Sequence, residues 1–148
     1  MVGTVVRVLP STLINPNDLT LPETSSLISV DQVISGTLPN GTNTIAISEV
    51  GGKVGLCELV IPDNPLVKLN EKYVLFLFAD KQNVPPNTTG SPRYNTVGHW
   101  SGKARITDGK INFLPSASQG LRKYDNVAFG DFTETVRARA RSLLKRTP

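Results

Sequence analysis

One histidine and one cysteine, His99 and Cys57, stand among the 148 residues, and that scarcity narrows the chemistry at once. Nucleophilic catalysis needs a Ser, Cys or Thr beside a base that a third group orients. His99 lies in "GHWSGKARITDGKINFL" (98–114) with no second histidine, no nearby cysteine and no recognisable nucleophile setting. Metal ligation would have to rest on carboxylates alone, and no calcium-loop spacing occurs. The acidic residues are scattered singly, so no general acid/base couple is marked. "EVGGKVG" around Lys53 resembles a phosphate loop only superficially. Its leading glycine is missing, and Val54 stands where Ser or Thr is needed. No catalytic, cofactor-binding or metal-ligating residue is therefore assigned. Cys57 has no partner for an internal disulfide and reads as a small, buried or half-buried apolar residue.

Charge offers a second kind of chemistry. The formal net charge of +4 is unevenly spread. Residues 1–100 carry 6 Lys/Arg against 8 Asp/Glu, and residues 101–148 carry 10 against 4, so the basic excess falls in the last third. A basic surface beside exposed aromatics can bind polyanions and stack single-stranded bases. The candidate ligand or partner surface is accordingly His99, Trp100, Lys103, Arg105, Arg137 and Arg141. The competing reading is a solvated helix face whose cations complement the C-terminal end of the helix dipole.

Those residues need elements to position them. Period-two alternation dominates the first three quarters of the chain. It predicts strands over 2–9, over 26–36 with Ile28, Val30 and Ile34 on one face, and over 44–48 with Ile45 and Ile47 together. Tyr73 to Ala79 is apolar throughout, which predicts a strand covered on both faces. Long loops are expected near 10–25 and 80–92. Asp108-Gly109 is a strong two-residue hairpin signal. It sets Ile106 opposite Ile111, Ala104 opposite Phe113 and Arg105 opposite Asn112. The same logic at Ser101-Gly102 sets Val97 opposite Ile106 and His99 opposite Ala104, and puts Trp100, Lys103 and Arg105 on the outer face. From Asp131 the period becomes helical, with Glu134 completing a capping-box-like pair. Phe132, Val136, Ala140 and Leu143 form the apolar stripe of a helix near 131–146.

A chain of this length makes one domain, 1–148, and its apolar fraction of 39% supports a folded core. The longest apolar run is far below the ~20 residues of a membrane helix. The chain opens almost directly in a strand-like stretch, which reads as the loss of an upstream export segment. The expected fold is mainly β: a small curved antiparallel sheet or barrel, OB-like, with one C-terminal α-helix.

The order "VISGT", "EVGG", "LNEKYVLFLF", "GHWSGKARITDGKI" and "DFTETVRA" resembles exported bacterial domains of unknown function. It is also similar to the oligonucleotide/oligosaccharide-binding barrel and its netrin-like variant, found in tissue inhibitors of metalloproteinases. The resemblance spans residues 2–142 and implies the same barrel and an extracytoplasmic setting. The netrin-like pattern depends on several disulfides and an N-terminal cysteine, and Cys57 alone does not reproduce it. Protease inhibition of that kind is not implied. The function expected is a non-enzymatic binding or interaction module for an unknown protein or anionic ligand. The alternatives are a nucleic-acid- or polyanion-binding barrel using the basic C-terminal third, and an enzyme whose site the sequence does not reveal.

Overall fold

The computed structural model of the chain describes residues 1–13, 21–79, 90–98, 102–115 and 117–144. The strands among them are β1 (Val2–Val8), β2 (Thr12–Leu13), β3 (Pro22–Gln32), β4 (Thr44–Val50), β5 (Gly52–Val54), β6 (Cys57–Leu59), β7 (Lys72–Leu75), β8 (Leu77–Ala79), β9 (Arg93–Thr96), β10 (Lys103–Thr107) and β11 (Lys110–Phe113). Two helices follow, α1 (Gln119–Arg122) and α2 (Phe129–Leu144). The main sheet runs β11-β10-β7-β1-β3-β4-β9-β8, with β2 on β3, and β5–β6 form a separate ribbon.

The sheet curls back on itself because β7 and β8 are halves of one extended run, interrupted at Phe76. The Phe76 N–H donates to the Gly102 carbonyl (2.8 Å), and its own carbonyl accepts from the Val97 N–H (2.8 Å). The first half of the run pairs with β1 and β10, the second with β9. The result is a barrel-like sheet, mainly β as expected, but not wholly antiparallel. Ala46, Ile47 and Ser48 of β4 pair in parallel with Arg93, Tyr94 and Asn95 of β9. The reason is parity. A ring of β1, β3, β4, β9 and the β7–β8 run has an odd number of members, and strand direction cannot alternate all the way round an odd ring.

The apolar run is covered on both faces only along β7; in β8 the expectation fails, since Phe78 is 46% exposed. Tyr73 and Leu75 point inward among Val5, Ile28, Ile45, Ile47 and Val67. Val74 points the other way, into a second core with Ile111, Phe113 and Phe132. Phe132 of α2 holds that outer core. Its ring meets Phe76, Phe113 and Tyr124 edge-on at centroid distances of 6.5, 6.0 and 5.5 Å, contacts worth about 0.5–1.5 kcal/mol each beyond their buried area.

The β10–β11 hairpin has the expected register, Ile106 opposite Ile111 and Ala104 opposite Phe113, around Asp108 and Gly109 at φ 51° and 72°. Five expectations are corrected. The pairing of Val97 with Ile106 expected from a turn at Ser101-Gly102 is not made: β9 pairs with β4 and β8, and β10 takes β7 instead. The loop expected over 10–25 is partly strand, because β3 begins at Pro22 and Thr24 is buried beneath β5. Ile28 and Val30 share the inner core, but the strand ends at Gln32, and Ile34 joins the outer one. The helix starts at Phe129, so Asp131 lies in its first turn rather than capping it. Leu143, expected in the stripe, is 53% exposed. The expected loop over 80–92 lies mostly outside the described residues.

Candidate functional site

Of the six residues expected to form one surface, the four that lie among the described residues do not come together. His99 and Trp100 lie outside the described residues. Lys103, expected on the outer face, is 1% exposed. Lys103 and Arg105 share a face, as alternation along β10 predicts, but Lys103 on that face points into the barrel. Lys103 Nζ is ion-paired there with Glu49 Oε1 and also donates to the Pro65 carbonyl (2.6 Å). Arg105, nearer the open end of the strand, pairs with Glu71 at 3.2 Å. Arg137 and Arg141 ride on α2, which packs against the opposite, Ala104-bearing face.

The buried pair organises the end of the barrel. Glu49 Oε2 accepts the Val67 N–H (3.0 Å), so one carboxylate holds both Lys103 and the 60–69 segment that plugs the barrel. Burying two charges is costly, and such a pair is retained only where its geometry is satisfied by further hydrogen bonds, as here. The segment is tied down again beyond Val67. The Lys68 N–H donates to the Tyr73 hydroxyl (3.2 Å), which in turn donates to Glu71. That hydroxyl, and then Arg105, hold the Glu71 carboxyl below its ordinary value, against a smaller opposing effect of burial. Burial first, then Glu71, push the Tyr73 phenol up.

Between this segment and the β5–β6 ribbon lies a cleft of about 340 Å³. Leu59, Val60, Ile61, Leu66 and Val67 supply its aliphatic walls, and Lys53, Glu58, Asn64 and Lys68 its polar groups. Asn64 is 3% exposed, and its Oδ1 has no hydrogen-bond partner among the described residues. A buried carbonyl oxygen without a donor costs about 1–3 kcal/mol, which a ligand N–H or O–H would relieve.

The ribbon's placement follows from its glycines. Gly52 sits at φ 116°, and a Cβ there would overlap Ser11 Oγ and Thr24 Oγ1. Those hydroxyls fasten the ribbon to β2 and β3: Thr24 Oγ1 donates to the Gly51 carbonyl (2.7 Å), and Ser11 Oγ accepts the Lys53 N–H (3.2 Å). Gly55, at φ 59° with Leu56 not positive, makes the two-residue turn of type II′ pattern. Leu56 at its tip is fully exposed. Cys57, expected to be buried or half-buried, is exposed beside it.

Glu49, Asn64 and the 60–69 segment went unmarked in the sequence, because each acquires its role through partners distant in the chain. "EVGGKVG" drew notice only as a stretch that fails the phosphate-loop pattern. No protein family, curated protein or solved structure matches this chain.

Proposed function

We propose that this chain is a non-enzymatic binding module whose contact surface is the cleft between the β5–β6 ribbon and the 60–69 segment. One observation carries the reading: an aliphatic-walled cleft that contains a buried acceptor, Asn64 Oδ1, lacking a donor. Such an arrangement, apolar walls with a few placed polar groups, is what ligand sites offer. The cleft floor is prearranged by the Glu49–Lys103 pair, which lowers the ordering cost of binding. The resemblance to exported bacterial domains supports an extracytoplasmic setting. The polyanion reading loses Lys103, whose charge is spent inside the barrel.

Panning a random peptide library against the chain and against Val60→Arg tests the reading. Val60 is 70% exposed, so the variant should fold. Peptides retained by the parent and lost from Val60→Arg are the expected result. Retention by both, removed only by Arg137→Ala with Arg141→Ala, would move the site to the helix.

A further inference from the structure

We infer that the cleft receives an extended peptide segment of a partner protein, acidic and aliphatic in character, which adds as a strand along β6. The inference rests on the binding reading above and names the occupant.

The first argument is main-chain parity. Val54 and Cys57 flank the turn and pair directly, so Lys53 and Glu58 form the next, non-hydrogen-bonded pair. The Lys53 N–H accordingly leaves the ribbon to reach Ser11 Oγ. By the same parity the N–H and C=O of Glu58 point away from β5, and among the described residues no backbone group takes them. Glu58 also lines the cleft, so this free edge borders it.

The second argument is the Asn64 oxygen on the same cleft, an acceptor lacking a donor. A peptide main chain brings alternating N–H and C=O groups and so supplies both needs. Its alternate side chains would lie against Leu59, Val60 and Leu66, as strand addition generally arranges them.

The third argument is charge. Lys53 and Lys68 both line the cleft, and neither is ion-paired among the described residues. Lys68 also acts on the Glu71 carboxylate, but among the groups lining the cleft two ammoniums face the single carboxylate of Glu58, which favours acidic side chains on the occupant. A second copy of this chain fits less well, because pairing two β6 strands about Glu58 sets carboxylates directly opposite each other.

The probe is a decapeptide alternating Val and Glu, compared with the same peptide N-methylated on alternate amides. Each is titrated to about 1 mM by NMR. We expect shifts at Glu58, Val60 and Asn64, exchange of the Glu58 amide slowed roughly tenfold, and about tenfold weaker binding by the N-methylated peptide and by Lys53→Glu. Equal binding of both peptides with the Glu58 amide unprotected would overturn strand addition while leaving the binding reading intact. Failure of both peptides to bind would also overturn it, and the library panning then decides the binding reading independently. Two other results would replace the occupant: a dimer of the chain abolished by Val60→Arg, or capture on phosphatidylserine vesicles abolished by Leu56→Asp.

Discussion

Lys103 and Glu49 meet inside the barrel across 54 residues of sequence, with side chains 1% and 2% exposed. Removing one partner leaves the other as an uncompensated buried charge, which typically costs about 3–5 kcal/mol. Lys103→Met and Glu49→Leu should each lose stability on that scale in urea unfolding. Lys103→Met with Glu49→Leu should lose much less than the sum of the two, because no charge is then stranded. The coupling in that cycle measures the pair. Exchange of the Val67 amide should quicken in Glu49→Leu, since Glu49 Oε2 is its acceptor. Additive losses with an unchanged Val67 amide would show that the pair holds nothing in place.

What the sequence showed of this region was uneven, for a physical reason. The β10–β11 hairpin was legible because Asp108-Gly109 is a local turn whose register checks itself in neighbouring residues. Lys103, at the start of the same hairpin, lies on the inner face although alternation predicts which residues share its side. Alternation says which residues share a face, and only the closure of the sheet says which face meets water. That closure runs through Phe76, the β7–β8 break, which looks like any other position in an apolar run. The cleft was illegible altogether. It depends on Gly52 tucking beneath Ser11 and Thr24, on Glu49 reaching Val67, and on the main-chain parity of a three-residue strand.

Acid should weaken the fold through Glu71. Its carboxyl is held below the ordinary 4.5 by the Tyr73 hydroxyl first, then by Arg105. A carboxyl whose folded value is depressed contributes stability that is complete above its unfolded value and is lost as pH falls through the folded one. Stability to urea should therefore decline below about pH 4.5, and Glu71→Gln should flatten the decline. Tyr73 acts at the other end. Its raised phenol contributes below its unfolded value of 10.0 and loses that contribution as pH rises further. Equal acid slopes for parent and Glu71→Gln would remove Glu71 from the account.

Helix α2 should be sensitive near its start and tolerant near its end. Phe132 is 1% exposed and contacts three other rings, so Phe132→Ala should cost about 3–5 kcal/mol. Val136→Asp puts a charge on a half-buried position packed against the outer core and should cost about 1–3 kcal/mol. Leu143→Asp and Arg141→Asp face solvent and should each stay within about 0.5 kcal/mol, as surface changes usually do. Thermal unfolding of the four variants gives the comparison. A loss at Leu143 equal to that at Val136 would mean that the stripe packs along its whole length.

Two glycines of the ribbon should respond differently to the same substitution. Gly52 and Gly55 both occupy positive φ, at 116° and 59°, so Ala is strained at either. At Gly55 a new Cβ meets nothing within 4 Å, and the cost is the backbone strain alone, about 1–3 kcal/mol. At Gly52 the same atom overlaps Ser11 Oγ and Thr24 Oγ1. Those hydroxyls bond each other at 2.8 Å and fasten the ribbon to the barrel. Gly52→Ala should therefore add to the strain the loss of those bonds, displace the ribbon and distort the cleft, whereas Gly55→Ala should leave the cleft intact. The discriminating measurement is the amide spectrum around Lys53, Glu58 and Asn64, recorded beside urea unfolding. A Gly52→Ala variant no less stable than Gly55→Ala, with those amides unmoved, would show that Ser11 and Thr24 do not set the ribbon's position.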